Sequence, residues 1–148
     1  MRLTASLSAV SLAIALACGG SSNTSATSDF SATISMPSQV SAGDTFEMTV
    51  TVYNTAPQTQ TLYSLDLADE FMVGTDVIGS DPPYTSSMHV PIDNTESYEY
   101  MQPIPSGGST TVVLTMLATI PGAWSGDIDV CVDGMARFNS YPMATTVQ

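Results

Sequence analysis

The feature that most constrains the fold of this chain is a two-residue alternation of apolar and polar side chains, which runs through most of its length. Between Phe46 and Tyr53, for example, Phe, Met and Val alternate with Glu and Thr. Successive side chains of a β-strand point to opposite faces of a sheet, so this period predicts strands with one buried face. Outside the first 17 residues, no segment shows the three- to four-residue period of an amphipathic helix. The chain is therefore predicted to be almost entirely β.

Turn-forming residues separate the alternating segments and limit how many strands the chain can form. Glycine, proline and asparagine occur between the segments, for example in Asn54-Thr55-Ala56-Pro57 and in Pro121-Gly122. The predicted strands span residues 30–36, 46–53, 63–67, 71–78, 98–100, 111–120, 124–133 and 135–147. The last of them is predicted to be interrupted at Pro142. This pattern predicts an all-β fold, an immunoglobulin-like antiparallel two-sheet sandwich of about seven or eight strands.

The first 17 residues differ from the rest of the chain and read MRLTASLSAVSLAIALA. A single Arg2 precedes an uncharged and mainly apolar run from Leu3 to Ala17. This is the pattern of an export signal peptide, and the run is shorter than the roughly 20 apolar residues that a membrane-spanning helix needs. We expect residues 1–17 to be removed during export.

Ala15–Cys18, with the sequence Ala-Leu-Ala-Cys, resembles the lipobox of bacterial lipoproteins, in which the cysteine thiol receives a diacylglycerol before cleavage. The resemblance implies a lipoprotein that is anchored in a membrane through Cys18. Gly19 directly after the cysteine resembles lipoproteins that are sorted to the outer membrane of a two-membrane bacterium. Ala-Leu-Ala also satisfies the small-x-small rule of ordinary signal peptidase. A secreted, extracellular protein is therefore the alternative to a lipid-anchored one.

The chain divides into three predicted parts. Residues 1–17 form the signal peptide, residues 18–28 form a Ser/Thr/Gly-rich tether after the lipidated cysteine, and residues 29–148 form the sandwich domain. The tether consists of small polar residues that cannot bury apolar area, so it is expected to be disordered.

The state of the two cysteines depends on how the chain is processed. If Cys18 is acylated, Cys131 is the only remaining thiol, whereas ordinary cleavage makes a disulfide between them conceivable outside the cell. We expect Cys131 to be a single and mostly buried thiol, because free cysteine behaves as a small hydrophobe. The alternation of residues 124–133 nevertheless assigns it to the polar face of its strand, which predicts partial exposure.

Two longer segments look like the immunoglobulin-like repeats of bacterial cell-surface proteins, including the adhesion-related CARDB-type modules. The segments read SAGDTFEMTVTVYNTA and PIPSGGSTTVVLTMLATIPGAWSGDIDVCVD. The turns and strand ends typical of those domains are occupied here by Gly43, Asn54, Gly107, Gly108 and Gly122. The resemblance covers most of residues 30–133. It implies a fold and a surface location, and it brings no catalytic residue with it.

Charge excludes one class of partner. The chain has 14 acidic and 2 basic residues, for a formal net charge of −12, and its basic residues are Arg2 and Arg137. Proteins bind nucleic acids largely by neutralising phosphates with lysine and arginine, so no nucleic-acid partner is expected.

The chain also lacks the sequence patterns of common enzymes. His89 is its only histidine, so any Ser-His-Asp or Cys-His site would have to use it, and a metal could find no second imidazole. The sequence contains no Gly-x-Ser-x-Gly, His-Glu-x-x-His or phosphate-binding loop motif. We predict no catalysis, no cofactor and no resident metal, with His89 at the surface or at a strand edge.

Two binding functions stay open as alternatives. Clustered carboxylates could supply oxygen ligands to calcium, and they occur in two groups, Asp66, Asp69 and Glu70, and Asp127, Asp129 and Asp133. Aromatic residues could form a platform on which a sugar stacks, and the candidates are Tyr84, Tyr98, Tyr100 and Trp124. The competing interpretations are a solvated acidic face, a core tryptophan, and tyrosines along the edge of the sandwich.

These observations lead to one functional hypothesis and one alternative. The hypothesis is a cell-envelope module, lipid-anchored to the outer membrane through Cys18, with a structural or protein-interaction role and an unknown protein or glycan partner. The alternative is a surface module that binds calcium or carbohydrate.

Overall fold

The computed structural model describes residues 28–148, which form ten β-strands and one short helix. The elements are β1 (Phe30–Ser35), β2 (Gln39–Val40), β3 (Thr45–Asn54), β4 (Gln60–Ala68), α1 (Asp69–Met72), β5 (Thr75–Asp81), β6 (Ser86–Val90), β7 (Thr95–Ile104), β8 (Ser109–Ala118), β9 (Gly122–Val132) and β10 (Phe138–Val147). In this part of the chain, no helix is long and apolar enough to cross a membrane. The predicted signal peptide, Cys18 and the tether up to residue 27 lie outside the described residues.

The strands form two sheets that pack face to face. The four-stranded sheet has the order β1-β3-β8-β5, and the six-stranded sheet has the order β2-β10-β9-β4-β7-β6. All neighbouring strands are antiparallel except the short parallel pair of β2 and β10. Buried apolar residues from both sheets form one core cluster. The prediction of an all-β, immunoglobulin-like two-sheet sandwich is therefore confirmed.

The core follows from the alternation in the sequence. In β3 the residues at every second position are buried, and the same holds for β8, which pairs with it. Their register places Val50 opposite Val112 and Met48 opposite Leu114, all without solvent exposure. Burial of one such side chain stabilises a fold by about 1.5–3 kcal/mol. The inner faces of the two sheets therefore supply the main stabilising contribution.

The two ends of the sandwich carry different turns and are named here by their position relative to Ser28. The end at which Ser28 lies is called the proximal end here, and it carries the turns at residues 55–59, 105–108 and 133–137. The opposite, distal end carries α1 and the turns at residues 41–44, 91–94 and 119–121.

The strand predicted over residues 71–78 is wrong in its first half, where the chain forms α1 and a turn before β5. Phe71 is fully buried, so a single helical turn suffices to insert its side chain into the core. Asp69 and Glu70 begin this single turn, which the N–H of Val73 closes by donating a hydrogen bond to the carbonyl of Asp69 at 3.0 Å. Thr75 Oγ1 then donates a hydrogen bond to the carbonyl of Phe71 at 3.1 Å and begins the strand.

Trp124 packs against the distal end of the core and is partly buried, so the prediction of a core tryptophan holds only in part. Its Nε1 donates a hydrogen bond to the carbonyl of Ile120 at 2.7 Å. The indole ring lies directly against Gly74, where an added Cβ would stand 2.0 Å from Nε1. Only glycine fits at this position.

Two strands were not predicted, and one predicted interruption is absent. β2 has two residues and β6 has no apolar alternation, so neither has a period-two signal. β10 runs unbroken through Pro142, which pairs with Asp127 of β9. The other neighbour, β2, pairs only with Thr146 and Val147, so no strand on that side needs an N–H from position 142.

Two buried amides near the proximal end differ in how well they are bonded. Asn54 Nδ2 donates hydrogen bonds to the carbonyls of Gln58 and Ile104, each at 2.8 Å, and Oδ1 accepts one from the N–H of Ala56 at 2.8 Å. Gln60 is also fully buried, and neither its Oε1 nor its Nε2 has a hydrogen-bond partner.

We expect Gln60→Met to raise the free energy of unfolding by about 1 kcal/mol, because it removes an unpaired amide while nearly conserving volume. Asn54→Leu is the matched control and should lower the same free energy by about 2–4 kcal/mol, since it leaves several backbone groups unpaired. Urea denaturation measures both. If both variants were destabilised to a similar extent, the inference that Asn54 is well bonded and Gln60 is unpaired would be wrong.

Candidate functional site

The outer face of the six-stranded sheet carries a row of polar side chains across four neighbouring strands. Ser140 of β10 pairs with Asp129 of β9, Asp129 pairs with Asp66 of β4, and Asp66 pairs with Ser97 of β7. Directly paired residues point to the same face of a sheet, so these side chains are adjacent. The sequence does not reveal this row, because its members are far apart in the chain and only the register joins them.

Asp66 is the buried centre of this row. Ser97 Oγ donates a hydrogen bond to Asp66 Oδ1 at 2.5 Å, and Cys131 Sγ donates one to Oδ2 at 3.4 Å. Burial raises the pKa of the Cys131 thiol to about 12, and the negative charge of Asp66 acts in the same direction. The thiol therefore stays protonated at neutral pH and serves as a donor rather than as a nucleophile.

Cys131 is buried, as expected for a free thiol, and the partial exposure that its strand position predicts is wrong. The residue does lie on the outer face, because it pairs with Phe138 of β10 and Ser64 of β4. The turn between β9 and β10 folds back over this face and brings the carbonyl of Met135 to 4.0 Å from the sulfur. A turn, which strand alternation cannot predict, covers the thiol.

Asp129 faces the like charge of Asp66 directly across the strand pair. Its carboxylate Oδ1 accepts a hydrogen bond from Ser140 Oγ at 2.5 Å. Partial burial raises the pKa of Asp129, the Ser140 bond opposes this effect, and the charge of Asp66 raises the pKa further. Like charges directly opposite each other destabilise a sheet, so this pair has an electrostatic cost.

The same outer face is concave, because the turns at residues 91–94 and 133–137 rise at its two ends. A cavity of about 380 Å³ has a polar floor that includes Asp66, Asp129 and Cys131, and its rim includes the apolar Ile92 and Phe138. A second cavity of about 600 Å³ shares Asp129 with it. Among residues 28–148, no basic residue lines either cavity.

The two described residues that can carry a positive side-chain charge lie elsewhere. Arg137 forms ion pairs with Asp29 and, at 2.7 Å, with Asp133. His89 Nδ1 lies 3.5 Å from Asp69 Oδ1 and 3.8 Å from a carboxylate oxygen of Glu96. The carboxylates of the outer face therefore receive no countercharge from residues 28–148.

The structure separates the carboxylates that the sequence groups together. Asp66 lies in the outer-face row, Asp69 approaches His89 at the distal end, and Glu70 lines the larger cavity. In the second group, Asp129 joins the row, whereas Asp133 bonds to Arg137. Within residues 28–148, no three His, Cys, Asp or Glu side chains are placed to hold a metal ion.

The proposed aromatic platform is not formed. Tyr98 and Tyr100 are buried core residues, so the prediction that they line the sandwich edge is wrong. Tyr84 packs edge-to-face on Tyr98 with the ring centroids 5.2 Å apart. Tyr98 and Tyr100 flank Glu99 in the sequence, and this short alternation does not show whether the rings face the core or the solvent.

His89 lies on the edge strand β6 and is half exposed, as predicted for a surface or strand-edge histidine. Two strands, β7 and β4, separate β6 from the strand that carries Cys131. The histidine and the thiol are therefore not brought together as a nucleophile and base would need to be.

Comparison with known proteins supports the fold. A family model described as the alpha-2-macroglobulin family matches residues 3–65. Native Escherichia coli alpha-2-macroglobulin is similar at a TM-score of 0.51 and 16% identity, over 81% of this chain and 7% of that protein. A CARDB domain from Pyrococcus furiosus, solved in complex with di-metal ions, is similar at a TM-score of 0.53 and 11% identity, over 81% of this chain and 88% of that domain.

A cohesin module from a Clostridium perfringens family 33 glycoside hydrolase is similar at a TM-score of 0.57 and 12% identity, over 82% of this chain and 98% of that module. No curated protein sequence matches the chain. At these identities the likeness concerns the fold, an immunoglobulin-like sandwich.

We expect Asp129→Asn to raise the melting temperature at pH 7, because it removes one charge of the opposed pair. The pKa of Asp129 is raised on folding, so protonation of this carboxyl favours the folded state. The free energy of unfolding therefore decreases as pH rises through the folded-state pKa and the carboxylate becomes charged. The advantage of the variant should therefore shrink as pH falls toward 4. Asp127→Asn, on the same strand and face, is the control for lost charge alone. An equal gain in both variants would contradict the specific role of the Asp66–Asp129 pair.

Proposed function

We propose that this protein is an immunoglobulin-like module of the bacterial cell envelope, lipid-anchored to the outer membrane at Cys18, with a structural or protein-interaction role and no catalysis of its own. The observation that supports the proposal is that side chains of residues 137 and 139 hold Ser28 and Asp29 at the proximal end. Asn139 Nδ2 donates a hydrogen bond to Ser28 Oγ at 2.8 Å, and Arg137 pairs with Asp29. These bonds support a domain that a tether from Cys18 would join at the proximal end.

The length of the intervening chain limits how the domain would stand on a membrane. Ten peptide steps separate Cys18 from Ser28, and a fully extended chain of that length spans at most about 36 Å. An anchor at Cys18 would therefore hold the proximal end near the bilayer. The distal end and the outer face of the six-stranded sheet would remain accessible to other molecules.

The fold comparisons support a module rather than an enzyme. The similar E. coli alpha-2-macroglobulin is much longer than this chain, and the similar cohesin is a module of a glycoside hydrolase. In both, a sandwich of this type is one part of a larger protein. The concave outer face offers the present chain a surface for contacts of the same modular kind.

We expect the protein isolated from its host to occur in the membrane fraction, with Cys18 as its first residue and a mass increased by a diacylglycerol and an acyl group. Cys18→Ser should abolish the added mass and release the protein into the soluble fraction. Intact-mass spectrometry of both fractions measures this.

Cys131→Ala is the matched control, because it removes the only other cysteine and should leave the lipid mass unchanged. An unmodified soluble wild-type protein would overturn the anchor and favour secretion into the medium.

The alternative function is binding of calcium or a carbohydrate. The opposed Asp66 and Asp129, which lack a countercharge, are the observation that favours calcium, and the similar P. furiosus domain was solved with di-metal ions.

We expect the melting temperature to be unchanged by calcium, by EGTA and by a panel of glycans. A ligand at one hundred times its dissociation constant would add about 2.7 kcal/mol to the free energy of unfolding. Stabilisation by calcium that Asp129→Asn abolishes, or stabilisation by one glycan, would replace the interaction role with this alternative.

A further inference from the structure

Four strands form the edges of the two sheets, namely β1 and β5 in the four-stranded sheet and β2 and β6 in the six-stranded sheet. An edge strand presents unpaired N–H and C=O groups, which can pair with a strand of another chain. Proteins usually protect such edges with short strands, bulges, charged residues or covering side chains. The four edges of this sandwich differ in that protection.

Side chains of β10 protect the edge of β1. Tyr141 Oη accepts a hydrogen bond from the N–H of Ala32 at 2.7 Å, and Asn139 Nδ2 donates one to the carbonyl of Phe30 at 3.1 Å. Backbone groups that a neighbouring strand would use are thus occupied.

The edges β2 and β5 are protected in other ways. β2 has only two residues, too few to support a strand pair. β5 has an irregular register between Val77 and Gly79, and it carries the exposed carboxylates of Asp76 and Asp81. A bulge and charges of this kind disfavour pairing with another chain.

β6 has none of these protections. Its sequence Ser-Ser-Met-His-Val contains no proline, lysine or carboxylate, and it pairs with β7 in unbroken register on one side only. Four of its five residues are exposed, and half of the surface of Met88 is accessible to solvent (50%). The strand is regular and apolar at its centre, and no strand within residues 28–148 pairs with its second side.

We propose that an extended, basic segment of another protein adds to β6 as a seventh strand of the six-stranded sheet. This inference rests on the interaction role proposed above, but it does not depend on the lipid anchor. It identifies the surface used and the chemistry of the partner.

Charge complementarity specifies a basic partner. Glu96 of β7 pairs with His89 of β6 on the face opposite Met88, and Asp69 lies near the same histidine at the distal end. A strand added to β6 would run about 4.8 Å from it. Lysine or arginine side chains on one face of that strand could reach across β6 toward Glu96 and Asp69, while the alternate, apolar side chains pack against Met88 on the other face.

A second copy of this chain does not fit this description. The chain contains no lysine, and Arg137, the one arginine among the described residues, is paired with Asp29 and Asp133. Each copy carries a formal charge of −12, so two copies repel each other. The basic segment must therefore come from a different protein.

The test uses the purified, isotope-labelled full chain and a short peptide of alternating lysine and valine as the probe. We expect amide resonances of residues 86–90 to shift on titration and their hydrogen exchange to slow, since new backbone hydrogen bonds form. A peptide of alternating glutamate and valine should bind at least about tenfold more weakly. Added salt should lower the affinity of the lysine peptide.

Two variants separate pairing at β6 from general attraction to an acidic protein. Met88→Lys should reduce affinity for the lysine peptide by about tenfold or more, because an edge lysine opposes pairing and repels the probe. Ile78→Lys, at a similarly exposed residue of the β5 edge, is the matched control and should bind as the wild type does.

Several results would overturn the inference. These are unchanged resonances at residues 86–90, equal binding of the glutamate peptide, and equal loss of affinity in Met88→Lys and Ile78→Lys. Self-association that Met88→Lys abolishes, measured by sedimentation, would instead assign the edge to a second copy. Since lipid modification does not alter β6, failure of the anchor at Cys18 and failure of this inference are distinguishable.

Discussion

The register of the central strands of the six-stranded sheet determines both its core face and its outer face. In β4, Leu65 points into the core, so its neighbour Asp66 must point to the opposite face. In β9 the same alternation places Val130 inside and Asp129 outside. A slip of one residue would exchange the faces and expose the leucines and valines. The opposed carboxylates are therefore a consequence of core packing, and apolar burial outweighs the cost of their repulsion.

The two long sides of the sandwich differ in whether side chains form hydrogen bonds to the backbone of the edge strand. Along one side, Tyr141 and Asn139 reach from β10 to the backbone of β1 and join the two sheets. On the other side, β7 is the single neighbour of β6 among the described strands. Both sides expose edges of similar sheets, so the difference lies in which side chains the flanking strands supply. A tyrosine and an asparagine that bond to backbone groups protect one edge, whereas the exposed Met88 protects no backbone group of the other.

The alternation in the sequence predicts the sandwich because burial of one face dominates each long strand. It fails where another interaction decides. Phe71 reaches the core through a helical turn rather than a strand, and Cys131 is buried by a turn that folds over its strand. The sequence does not predict the polar row on the outer face of the six-stranded sheet, for a different reason. Ser97 and Ser140 meet the carboxylates only through the register of three strand pairs, and register is set by long-range packing rather than by neighbouring residues.

The few cationic groups give the described domain an uneven distribution of charge. Arg137 lies at the proximal end and neutralises part of Asp29 and Asp133, where the described chain begins. Toward β6 and the distal end, the carboxylates of Asp69 and Glu96 have the half-exposed His89 as their one nearby cationic group among residues 28–148. Arg137, the one arginine among the described residues, is thus held at the proximal end and gives no countercharge to the carboxylates near β6. A cationic partner approaching by diffusion would be steered toward this part of the surface, and salt would weaken the effect.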